Sequence, residues 1–206
     1  MLKEVFISLV SNYSSDQEYI ALLWAKIAKK HTQKSRSYHN LAHLENIYQQ
    51  LLKIKSNLMD WDIILFTMFY HDYIYNALKK DNEDQSAEVA TKVLLSLSMQ
   101  KDRITLCNKT ILATKGHNDS DNSDINYFTD ADLSILGDNW FAYNKYYQEV
   151  RKEYKYYPDF IYKKGRIQVL NQFLSMPRIF KTDYFYHQLE KQARNNMQKE
   201  IDILTP

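Results

Sequence analysis

Glycine and proline are scarce in this chain, with three of each among 206 residues. Tight β-turns need glycine for positive φ angles and proline to set their geometry, so a protein rich in hairpins would use more of both. Apolar residues make up 45% of the chain, enough for a substantial core. The sequence therefore predicts an all-α protein, a single-domain bundle of about eight to ten helices over residues 1–206.

Apolar residues recur at helical spacing along most of the chain. The predicted helices cover residues 2–13, 17–31, 37–55, 60–70, 83–99, 102–114, 130–136, 139–156, 158–175 and 182–203. The helix that ends at Tyr70 is apolar on nearly every side, which favours a central position, and Asp60 is expected to cap its start. Residues 115–127 form the longest polar segment and are expected to be a loop. Gly137 is expected to follow a helix end.

Charge and targeting signals narrow the range of partners. The net charge is +2 and lysines are interspersed with glutamates, which argues against a nucleic-acid polymer as partner. The longest strongly apolar stretch, residues 61–70, is well short of the ~20 residues that span a bilayer, and the N-terminus does not resemble a signal peptide. With Cys107 as the only cysteine, we expect a cytoplasmic protein that does not bind membranes; a homodimer stays open.

Histidines and aspartates cluster in three places: residues 36–43, Tyr70-His71-Asp72, and residues 130–133. On the predicted helix, His39 and His43 would project from one face because they are four residues apart. Two imidazoles with two carboxylates suit a divalent ion such as Mn, Fe, Co, Ni, Zn or Mg, and the sequence leaves open whether one or two ions bind. The candidate metal ligands are His43, His71, Asp72 and Asp132.

The order of these ligands resembles the H…HD…D signature of the HD superfamily of metal-dependent phosphohydrolases. A closer resemblance, to a bacterial family of predicted metal-dependent HD phosphohydrolases, lies in the segments Tyr38–His43, Phe69–Asp72, Asp81–Ala87 and Asp130–Gly137. It implies an HD-type helical domain with its metal-site core at residues 36–137. The superfamily pattern places a leucine directly after the last ligand, which favours Asp132 because Leu133 follows it. Asp130 is the alternative ligand and could instead cap a helix.

The resemblance implies an enzyme that hydrolyses a phosphoester or phosphoanhydride with metal-activated water, acting on a small phosphorylated metabolite or nucleotide. Asp72 would orient or deprotonate the water. Tyr-His-Asn-x-x-His also opens the metal site of cyclic-nucleotide phosphodiesterases, and by position His39 becomes the candidate proton donor. We also consider a non-catalytic HD domain that binds metal and ligand as a sensor or partner module, and an oxygen-activating di-iron protein.

Three further residues are candidate substrate ligands. Arg36 has a fork of donors that matches a pair of phosphate oxygens. It could instead form a salt bridge to Glu83, and Glu83 could also position Arg36 for the substrate. His117 could bind a second metal ion or phosphate, or be a solvated loop histidine.

Overall fold

The structure, a computed structural model, describes residues 1–205 and has ten α-helices there. They are α1 (Leu2–Ser11), α2 (Gln17–His31), α3 (Leu41–Lys53), α4 (Trp61–Tyr70), α5 (Asn82–Ser96), α6 (Lys101–Ala113), α7 (Ser123–Asp132), α8 (Trp140–Glu153), α9 (Asp159–Ser175) and α10 (Asp183–Leu204). Short 3₁₀ turns cover Lys55–Asn57 and Leu133–Gly137. No β-strand occurs within residues 1–205, so the all-α prediction is confirmed.

The chain forms two compact units, of which the first ends at Thr129 and the second begins at Asp130. The boundary lies inside α7, which is continuous from Ser123 to Asp132. The prediction of one domain over residues 1–206 stays a prediction. In the described part of the chain, no helix combines the length and the apolar character needed to cross a membrane.

Helix α4 is the centre of the first unit. Every residue from Ile63 through Tyr70 is buried, and the helix packs against α3, α5 and α6. Asp60 caps its start as predicted, with a carboxylate oxygen that accepts a hydrogen bond from the Ile63 amide at 3.1 Å. Arg103 binds both oxygens of the same carboxylate at 2.6 and 2.7 Å. These bonds therefore fix the start of α4, the helix that His71 directly follows.

In the second unit, α10 packs against α9 and against the 3₁₀ turn Leu133–Gly137. Gly137 does not have a positive φ angle. A Cβ at this position would lie 2.5 Å from the Leu189 Cβ, so only glycine permits this approach of α10. The Asn196 amide holds the same turn by donating to the carbonyls of Leu136 at 2.9 Å and Asp138 at 2.7 Å.

Two helix starts differ from the prediction. Helix α3 begins at Leu41, not at residue 37, because Asn40 is extended and its side chain accepts a hydrogen bond from the Ala42 amide at 2.8 Å. Helix α7 begins inside the predicted loop 115–127 and replaces the start of the predicted helix 130–136. Asn122 caps α7 by accepting from the Asp124 amide at 3.0 Å. Asn122, one of the polar residues that indicated a loop, is in fact a capping residue.

Candidate metal centre

His43 lies in the first turn of α3 and is buried. The buried residues Leu44, Ile47 and Leu51 share the inward side of this helix, so its packing in the core fixes the position of His43. The His43 ring contacts the ring of Tyr38, with centroids 4.8 Å apart, and faces the His71 ring at 5.5 Å.

His71 follows the last residue of α4, and its amide still bonds to the Thr67 carbonyl at 2.8 Å. Its side chain is buried, with Nδ1 3.0 Å from the Met68 carbonyl oxygen. A carbonyl can only accept, so Nδ1 carries a hydrogen and, in the neutral imidazole, Nε2 presents a lone pair. This is the tautomer in which a histidine binds a metal through Nε2.

The carboxylate of Asp72 lies against both imidazoles. Its Oδ2 is 3.1 Å from the His71 Nε2 and 3.8 Å from the His43 Nε2. Burial alone would raise the pKa of Asp72, but without a metal ion the positive charges of His71, His39 and His43 in their protonated forms, and the hydrogen bond from protonated His71, hold the pKa well below its usual range. Asp72 is therefore a carboxylate at neutral pH.

Asp132 is the last residue of α7. One ligand atom from each of His43, His71 and Asp132 lies within 4.8 Å of the others, so this group could hold a metal ion. Asp130 has a different environment: its carboxylate accepts hydrogen bonds from the Lys181 amide at 2.9 Å and from the amide and hydroxyl of Thr182, each at 2.7 Å. Of the two aspartates, Asp132 is the one in the group that could hold a metal ion.

Arg36 is buried, and its guanidinium donates hydrogen bonds to three backbone carbonyls. Its Nη1 reaches the oxygens of His39 at 3.2 Å and Asp72 at 2.6 Å, and its Nη2 reaches that of Tyr73 at 3.0 Å. Arg36 thus ties the turn that carries His39 to the turn that follows α4. Its contact with a substrate stays a prediction.

His39 precedes α3 instead of sharing its face with His43, which corrects the helical spacing argument. The His39 ring is half-exposed and still approaches the His43 ring, with centroids 5.6 Å apart. Its closest ring contact is with Tyr75, stacked at 4.2 Å and 29°. Sequence reasoning missed Tyr75, whose only signal was its place three residues after Asp72.

The segment after Asp72 is attached to the start of α5. The Ser86 hydroxyl bonds to the amide and carbonyl of Ile74 at 3.0 and 3.3 Å. The Asn82 side chain bonds to the amide and carbonyl of Asn76, both at 3.0 Å. The polar motif Asp81–Ala87 therefore has a structural role: its side chains hold the backbone just after the candidate metal ligands His71 and Asp72.

The other two predicted substrate ligands lie on α5 and just beyond α6. Glu83 is half-buried in the first turn of α5. His117 follows α6 with a left-handed backbone (φ 49°), and its amide bonds to the Ala113 carbonyl at 2.9 Å. Lys115, in the same turn, forms an exposed ion pair with Asp84 at 3.0 Å. The roles of Glu83 and His117 stay predictions.

Comparison with known proteins gives no relative: no family model, no curated protein and no solved structure matches the chain. The resemblance to HD proteins thus depends on the motifs alone. The fold and the geometry define an all-helical protein with a histidine and aspartate group that could hold a metal ion.

Proposed function

We propose that this protein is a metal-dependent phosphohydrolase of the HD type, acting on a small phosphorylated metabolite or nucleotide. The observation that carries the proposal is the pairing of the His71 Nε2 with the Asp72 Oδ2 at 3.1 Å. In neutral His71 this nitrogen presents a lone pair, because Nδ1 donates to Met68. Two acceptor atoms this close repel each other unless a cation, either a proton or a metal ion, lies between them.

The distances fit a metal ion. Ligand atoms about 2.0–2.2 Å from one ion lie roughly 3–4 Å apart around it. The Asp72 Oδ2 lies 3.1 Å from one imidazole nitrogen and 3.8 Å from the other. His43, His71 and Asp132 form a mixed nitrogen and oxygen group that suits a transition metal, and Asp72 lies against its two imidazoles. Elemental analysis would count the ions.

A divalent ion bound here would lower the pKa of a water molecule towards ~7 and polarise the phosphoryl oxygen of the substrate. The ionised Asp72 orients the attacking water and takes its proton. His39 protonates the leaving oxygen, since histidine titrates near neutral pH. Arg36 keeps the two segments that carry these groups at a fixed separation through its three carbonyl bonds.

The test is hydrolysis of a panel of phosphoesters, nucleotides and phosphoanhydrides by protein loaded in turn with Mn, Fe, Co, Ni, Zn and Mg. We expect wild type to release product from at least one member of the panel and Asp72→Asn to lose about 100-fold or more in kcat. The matched control is Asp102→Asn, which makes the same chemical change on the exposed first turn of α6 and should keep wild-type activity.

A wild type that is silent with every metal would refute the hydrolase proposal. If phosphorylated compounds raised the melting temperature of the metal-loaded protein without product, the alternative of a sensor or partner module would replace it.

A further inference from the structure

The imidazole of His39 is surrounded by aromatic rings. Tyr75 stacks on its face, with ring centroids 4.2 Å apart and planes 29° apart. Tyr38 meets it edge-on at 5.0 Å and 83°, and His43 does so at 5.6 Å and 72°. The Tyr75 ring therefore covers one face of the His39 imidazole and supports it in an orientation beside the candidate metal ligand His43.

The backbone around Tyr75 is held at each neighbouring residue. Arg36 donates to the Tyr73 carbonyl, Ser86 bonds to Ile74, and Asn82 bonds to Asn76. The Arg36 guanidinium also lies 5.5 Å from the centroid of the Tyr75 ring. Because the backbone is bonded at Tyr73, Ile74 and Asn76, the Tyr75 ring is a fixed support for another group.

We propose that Tyr75 is a positioning residue that holds the His39 imidazole at the leaving-group side of the site, and that the substrate is a phosphoester of an aliphatic alcohol. This inference rests on the proposed hydrolase function. A proton donor held in place matters most when the leaving oxygen is a strong base. An alkoxide is such a base, whereas the phosphate that leaves a phosphoanhydride departs readily without a proton.

The step is balanced by groups on this chain and one water molecule. The water oxygen forms the new bond to phosphorus as the bond from phosphorus to the alcohol oxygen breaks. The leaving oxygen takes the proton of His39 and departs as the neutral alcohol. The proton lost by the water passes to Asp72 and restores His39 through solvent.

The kinetic test compares two leaving groups in Tyr75→Leu. We expect kcat for glycerol phosphate to fall about tenfold or more, and kcat for 4-nitrophenyl phosphate to fall less than about threefold, because nitrophenolate needs little help from an acid. Tyr75→Phe keeps the stacked ring and should behave as wild type. Tyr147→Leu is the matched control, since the Tyr147 ring packs against Trp140 and Tyr143 and not on His39.

A second measurement uses metal-free wild-type protein and does not depend on turnover. Nuclear Overhauser effects between the ring protons of Tyr75 and His39 are expected at the stacking distance, and the His39 ring protons should shift in Tyr75→Leu more than those of His187.

Equal losses of kcat for both leaving groups, or faster turnover of pyrophosphate than of any alkyl phosphate, would overturn the inference. Absent Overhauser effects would overturn it even if Tyr75→Leu did not fold. If wild type releases no phosphate at all, the hydrolase proposal and the substrate class fail together, and the ring contact alone decides the positioning role.

Discussion

Lowering the pH from 7 to 5 should destabilise the folded chain by about 2 kcal/mol through His31 alone. His31 is the last residue of α2 and is 1% exposed. Its Nδ1 lies 3.1 Å from the Ile27 carbonyl oxygen, and its Nε2 has no hydrogen-bond partner among the described residues. A proton on Nε2 would thus create a buried charge with an unsatisfied donor.

The magnitude follows from the pKa of this imidazole. Burial, and after it the positive charge of Arg36, lowers the pKa of His31 from 6.5 to about 3. The unfolded chain therefore takes up the proton first, so the stabilisation is complete above pH 6.5 and is lost as the pH falls towards 3. One pKa unit corresponds to about 1.4 kcal/mol, so the 1.5 units between 6.5 and pH 5 give about 2 kcal/mol.

The assay is urea unfolding, followed by far-ultraviolet circular dichroism, of metal-free wild type and His31→Gln at pH 7, 6 and 5. Glutamine cannot be protonated, and its amide can still donate to the Ile27 carbonyl. The other histidines are common to both proteins, so the difference between the two pH profiles isolates His31. Parallel profiles, with the wild type losing no more stability than the variant, would refute the reasoning.

Three other substitutions test the candidate centre and its support. Asp132→Asn should weaken metal binding about tenfold or more in calorimetric titrations, whereas Asp130→Asn should keep the affinity and cost about 2 kcal/mol of unfolding free energy, since its partners lose a buried carboxylate. Arg36→Lys cannot reach all three carbonyls and should lower the metal affinity about tenfold; unchanged titrations would show that those bonds do not organise the ligands. Gly137→Ala brings a Cβ to 2.5 Å from Leu189 and should destabilise the fold by about 1–3 kcal/mol in urea; a neutral result would mean that α10 shifts at no cost.

The helices were predictable from the sequence because their signals are local. The helical spacing of apolar residues and the cap at Asp60 both depend on neighbours within a turn or two. The scarcity of glycine, a property of the whole composition, excluded a fold rich in hairpins. The start of α3 was misplaced because Asn40 reads equally well as a helical residue and as a cap. Whether Asn40 is helical or a cap depends on the conformation of the preceding residues, and there Arg36 hydrogen-bonds to the distant carbonyl of Asp72.

The candidate site was predictable in its ligands and not in its supports. His43, His71 and Asp132 belong to motifs that can be recognised in order along the chain, and the structure brings them together. The guanidinium of Arg36 acts by binding backbone oxygens. The ring of Tyr75 acts by stacking on His39, 36 residues earlier in the chain. Such contacts leave no periodicity or spacing in the sequence.

The bonds from Asn82 and Ser86 also determine where this neighbourhood tolerates change. They fix the chain at Ile74 and Asn76 to the start of α5, and residues 78–81 between these points form an exposed loop. The two ends of this loop are therefore held independently of the sequence at its tip. A peptide tag or a fluorescent domain inserted between Lys79 and Lys80 would therefore lie near the candidate metal ligands without displacing them. This loop is therefore a place to attach a reporter of metal or ligand binding at the candidate site.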